Sequence, residues 1–146
     1  MVDLQTLKTE IQTDPKGLGY SGLAGPADIA AKLNEHGASG ETIEPTFIDT
    51  IDAAAAVDVT EYAALSLDRR QLWSDILTAG QDRGFPAKHS GIRSLIGDLF
   101  TAGNSPITRA ALLALQVRSA SRAEILFGEG VGVNYFQVSA ALLLGS

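Results

Sequence analysis

Apolar side chains recur along this chain at intervals of three and four residues, in short stripes broken by glycine and proline. Leu4, Leu7 and Ile11 mark the first stripe. It predicts a helix over residues 2–13, ended at Asp14-Pro15 because the residue before a proline is pushed out of helical geometry. The glycine-rich stretch DPKGLGYSGLAGP follows, and its Leu18 and Tyr20 are expected to fold back onto the core. Gly25-Pro26 opens a second helix over 27–35, with proline in its permitted first turn and Ile29, Ala30 and Leu33 inward. HGASGETIEP reads as a loop. Helical character resumes over 47–57, supported mainly by the alanines at 53–56.

The strongest stripe lies in TEYAALSLDRRQLWSDILTAG, residues 60–80. Leu65, Leu72, Trp73, Ile76 and Leu77 form an apolar face, and Arg69, Arg70, Ser74 and Asp75 occupy the polar one. Start signals at Thr60 and Ser66 and a stop at Gly80 predict a short turn feeding a longer helix. Trp73, the only tryptophan, is its largest piece of buried area. Phe85-Pro86 is expected to dock on the core before a helix over 90–100 that turns Ile92, Leu95, Ile96 and Leu99 inward. Ser105-Pro106 starts the next, with serine capping the free amides and the helix running from Ile107 to about Arg118. SRAEILFG gives a short helix ended by Gly128, and Asn134 caps a final one over 135–144. No run of five residues alternates with period two. The predicted fold is all-α: a compact single-domain bundle, residues 1–146, of about six to seven short helices with glycine-rich connections and no internal repeat.

Composition narrows the function classes. The 11 lysines and arginines against 17 aspartates and glutamates give a formal charge of −6. That is the wrong sign for the basic footprint of a nucleic-acid binder. Cysteine is absent, which excludes disulfides, thiolate metal sites and cysteine nucleophiles. The most apolar runs, 110–115 and 140–144, are far shorter than the ~20 residues of a membrane span, and the N-terminus carries no apolar signal core. The expectation is a soluble protein made in the cytoplasm, with no membrane partner.

Candidate chemistry is thin. Gly128, Gly130 and Gly132 lack the spacing, the preceding strand and the lysine of a phosphate loop, and read as an interhelical link. Gly19-Tyr20-Ser21-Gly22 misses the nucleophile-elbow spacing by one residue. The two histidines, His36 and His89, read as surface residues in loops. Glu41 with Glu44, and Asp49 with Asp52, are carboxylate pairs of the kind that hydrolases or metal sites use. A solvated surface is the favoured account of them, as it is for Arg109, Arg118 and Arg122 taken singly. The sequence therefore predicts no catalytic residue, no cofactor, no metal and no small-molecule substrate.

The C-terminus is physically unusual. Tyr135 to Leu144, YFQVSAALLL, stays apolar almost to the chain end, where segments are ordinarily polar and frayed. Such a helix is either docked in its own core or laid against another subunit, and a bare second face would mark an interface. Arg69, Arg70, Tyr135, Phe136, Leu142, Leu143 and Leu144 are the predicted interface residues.

Several segments then carry a resemblance. LKTEIQTDPKGLGYSG followed by AAKLNE, VTEYAALSLDRRQLW with ILTAG after it, and ITRAALLALQVRSASRAEILFGEG before a closing helix occur in that order. Their order and spacing resemble a group of small tailed-bacteriophage proteins of the structural-gene region, over nearly the whole chain. That group has no established activity, cofactor or catalytic residues to carry over. The resemblance implies a non-enzymatic virion component of the tail or head–tail region, made in the bacterial host cytoplasm. Its partners would be other virion proteins and copies of itself. Two other classes stay open: an assembly chaperone or small regulatory or inhibitor protein that binds one partner through the terminal helix, and a cell-wall hydrolase working through Glu41 or Glu44.

Overall fold

Side-chain caps fix where most of the helices begin. A computed structural model describes residues 1–145 as mostly helical, with nine α-helices among them. These are α1 (Leu4–Thr13), α2 (Pro26–Asn34), α3 (Thr50–Ala55), α4 (Val59–Ala64), α5 (Leu67–Ala79), α6 (Ser90–Leu99), α7 (Pro106–Ala114), α8 (Arg122–Phe127) and α9 (Tyr135–Leu143). Asp3, Asp49, Asp58 and Ser66 each accept an amide from the first turn of α1, α3, α4 and α5. Ser121 and Asn134 form reciprocal capping boxes with Glu124 and Gln137. His89 Nδ1 takes the same role for α6, accepting the Ile92 amide at 3.3 Å.

The fold is not purely helical. Two-residue strands β1 (Thr42–Ile43) and β4 (Arg118–Ser119) pair, as do β2 (Phe47–Ile48) and β3 (Phe85–Pro86), the latter antiparallel. Pairings this short leave no period-two trace in sequence. They account for two departures from the predicted elements. Residues 47–48 are strand instead of helix, because Asp49 takes the Ile51 amide at 2.7 Å and starts α3 only at Thr50. α7 ends at Ala114, where the Leu115 amide turns back to the Leu112 carbonyl, and Arg118 belongs to β4.

The chain folds as two compact units. The first joins Met1–Ile43 to the stretch beginning at Ser119, and the second is the continuous segment Glu44–Arg118. No composition shift marks either crossing. In the first unit α9 packs on α1 and α2, and α8 packs on α2. Its core gathers Leu7, Tyr20, Ile29, Leu33, Val133 and Val138, with Ala30, Ala123 and Ala141 where helices close on one another. The second unit is built around Trp73, which the sequence places correctly. It is 3% exposed, meets Phe100 edge-on at 5.0 Å and lies 6.2 Å from Phe85. Leu65, Ile76, Leu99 and Ala53 complete that core, while Leu72, predicted on the same stripe, is exposed. Gly84 makes the β2–β3 approach possible. Its φ is 82°, and a Cβ there would stand 2.2 Å from the Ile48 carbonyl oxygen.

Candidate functional site

The outer face of α9 is the most distinctive surface of the first unit. Val138 and Ala141 point into the core and are fully buried. Residues one helical turn apart on the other side do the reverse: Phe136 and Leu143 are 77% and 71% exposed, with Ala140 between them. Tyr135 is half exposed and stacks edge-on against Phe136 at 5.3 Å, and Leu142 is partly exposed on the flank beside Val138. Leu144 is half buried, and its carbonyl accepts a hydrogen bond from Lys8 Nζ. Four of the seven predicted interface residues therefore share one helix and present apolar surface to solvent, and Leu144 follows as its C-cap.

Arg69 and Arg70 lie on α5 of the second unit. Arg69 has an internal job: its Nη1 donates to the Leu99 carbonyl at 3.2 Å, with Asp98 at 3.5 Å. Arg109 does the same from α7, donating to Gly97 and Phe100 at 3.1 Å each. Two guanidinium groups thus close the carbonyl end of α6, where the helix dipole favours positive charge. Arg70 is half buried and its Nε has no hydrogen-bond partner among the described residues. At the amide end of α7 the sequence reading needs correction. Ser105 Oγ is buried without a partner, and Glu61 of α4 accepts the Ile107 and Thr108 amides at 3.0 and 2.6 Å. Desolvation pushes the Glu61 carboxyl upward, but those amides outweigh it and hold it below the ordinary glutamate range.

A second polar cluster was not foreseen at all. Arg122, read from sequence as solvated, is 8% exposed. It grips Glu10 of α1 with two parallel bonds of 2.9 Å from Nε and Nη2, and its Nη1 donates to Glu41 at 2.8 Å. Tyr20 donates its hydroxyl to the same Glu10 at 3.1 Å. Burial, reinforced by the Glu10 charge, holds the Tyr20 phenol well above the ordinary tyrosine range. The bonds from Glu10 hold Arg122 firmly in its charged form, above its usual range. Both Glu10 oxygens are engaged by these donors, so the cluster ties α1, the Tyr20–Gly22 turn and α8 together. Asn34 makes a comparable tie, its amide pairing with both the N–H and the carbonyl of Val133 at 2.8 and 2.7 Å.

Three further candidates are similarly occupied. Asp49 caps α3, His89 caps α6, and His36 Nδ1 lies 3.2 Å from the Ser119 carbonyl and 3.5 Å from Glu124. The Gly130 amide donates to Glu124, which ties the glycine-rich link to the cap of α8. Among the described residues no three His, Asp or Glu side chains are grouped to hold a metal, and no helix is long and apolar enough to cross a membrane. No protein-family profile, curated protein or solved structure matches the chain.

Proposed function

We propose that this protein is a non-enzymatic structural subunit of a bacteriophage particle, in the tail or head–tail region, that assembles through apolar helix faces. The observation that carries the reading is the outer face of α9, where Phe136 and Leu143 stand in solvent opposite the buried Val138 and Ala141, with Tyr135 and Leu142 exposed on its flank. Covering side chains of that size contributes roughly 1.5–3 kcal/mol each, and a closed symmetric assembly would cover the face on every copy. The engagement of Glu10, Glu41, Glu61 and Asp49 in internal bonds is consistent with a subunit that does no chemistry.

The test joins solution size to particle content. Sedimentation of the purified chain is expected to show concentration-dependent oligomers, and mass spectrometry of purified particles should contain the protein. Phe136→Glu with Leu143→Glu should abolish both while leaving the helical signal unchanged, since neither side chain is core. A chain that stays monomeric at every concentration and is absent from particles would overturn the reading and favour an assembly chaperone or a regulator of one partner.

A further inference from the structure

We infer that the second unit binds an apolar monocarboxylate of medium chain length in a cavity between β2, β3, α6 and α7. The cavity has a volume of about 280 Å³. At about 30 Å³ for each water-sized group, that is room for about nine methylene-sized groups. Ile48, Phe85, Ile92, Ile96, Phe100 and Leu112 are the larger apolar residues of its wall. The cavity is partly open to solvent and its wall is mainly apolar, so an apolar chain entering it is removed from water along most of its length.

Charge selects the head group. Two arginines, Arg93 and Arg109, are among the lining residues, and no aspartate or glutamate is. In a protein of formal charge −6 this is a local inversion of sign. Each guanidinium is already oriented by the backbone. Arg93 Nε donates to the Ala87 carbonyl, and Arg109 Nη1 donates to Gly97 and Phe100. A guanidinium carries five N–H donors, so each fork keeps others for an incoming carboxylate. A neutral chain would fill the same space and leave that capacity unused. A cationic amphiphile would be repelled.

The ligand is bound and released unchanged, a role that goes past the expectation of no small-molecule substrate and does not rest on the assembly reading. Its site is built wholly from residues of the second unit, whereas the exposed face of α9 belongs to the first.

Trp73 supplies the readout, because it packs on Phe85 and Phe100, both of which line the cavity. Its emission would be followed in the full chain during titration with decanoate, decanol or decylamine below their micelle concentrations. Decanoate is expected to saturate, with decanol at least tenfold weaker and decylamine weaker still. Arg93→Gln should weaken decanoate about tenfold and leave decanol unchanged, the loss of one charge-assisted contact. Leu112→Phe, which fills the cavity, should abolish both. Should that variant lose its near-ultraviolet dichroism, Leu113→Glu at the half-exposed edge replaces it, and should weaken decanoate alone. Equal affinity for decanol and decanoate, no saturable change with any probe, or undiminished decanoate binding in Arg93→Gln would each overturn the inference.

Discussion

The two units solve the same problem with different chemistry. The first is assembled from two distant pieces of chain, and its interior contains a charged clasp, Glu10 with Arg122, Tyr20 and Glu41, beside an aliphatic core. The second is one continuous segment whose interior is aromatic and aliphatic, with its charges at the rims closing helix ends. A continuous segment brings its elements together through short connections. A discontinuous one has to select the right pairing of remote helices, and a buried bidentate ion pair rejects misregistered alternatives because it leaves them with an uncompensated charge. Apolar contacts alone are less discriminating, since volume-conserving rearrangements cost little. On this comparison the first unit draws specificity from its polar interior and the second draws cohesion from its rings.

The largest effect should come from the second unit. Trp73→Ala removes its central ring from contact with Phe85 and Phe100 and is expected to cost roughly 3–5 kcal/mol, read as a fall in the denaturation midpoint followed by far-ultraviolet dichroism. An unchanged midpoint would mean that the aromatic cluster is not what holds that unit. In the first unit, Glu10→Leu alone should cost about 3 kcal/mol, because Arg122 then stays buried with Glu41 as its one remaining carboxylate and the Tyr20 hydroxyl loses its acceptor. Combining it with Arg122→Met and Tyr20→Phe should restore most of that stability but broaden the amide exchange of α1 and α8. Full recovery with unchanged exchange would remove the claim that the clasp confers specificity.

What was readable in the chain divides along the same line. Caps are local, reaching two or three residues, and Ser66 and Asn134 were legible as helix starts, whereas the start placed at Thr60 is capped by Asp58. So was the Trp73 stripe, because one helix carries it. Glu61 reaching across to the amides of α7 was not, since it lies 46 residues from Ile107 and the local Ser105-Pro106 signal pointed to serine instead. Arg122 and Glu10 are 112 residues apart, and an arginine at the first position of a six-residue helix gives no sign of burial. The exposed face of α9 could be suspected from its composition, but only the packing of Val138 and Ala141 shows which residues are left outside. The cavity wall comes from segments with no shared motif, so nothing in the sequence announced it.

A smaller effect sharpens the contrast in how the first unit closes. Asn34→Ala leaves the buried Val133 without partners for its N–H and carbonyl, and is expected to cost about 1–3 kcal/mol. Asn34→Asp is the finer probe. It keeps an acceptor for the Val133 amide and loses the donor to the carbonyl, so it should fall between wild type and alanine. Hydrogen exchange at the Val133 and Gly132 amides would report the loss locally, while amides of α5 should be unaffected.

The smallest effects are those of pH, and the two units should respond at opposite ends of the scale. Tyr20 has a raised phenol pKa when folded, caused first by burial and then by Glu10, so the unfolded chain loses this proton first. Its contribution is complete below the ordinary value of 10.0 and declines as pH rises beyond it. Glu61 is the reverse case. Its folded pKa lies below the ordinary 4.5, so its contribution is complete above that value and is lost as pH falls through the folded one. Melting curves should therefore show an alkaline slope that Tyr20→Phe flattens and an acid slope that Glu61→Gln flattens. If Glu61→Gln left the acid limb as steep as in the wild type, other carboxylates would dominate there, and the α7 amides would count as geometrically capped but energetically indifferent to the charge that caps them.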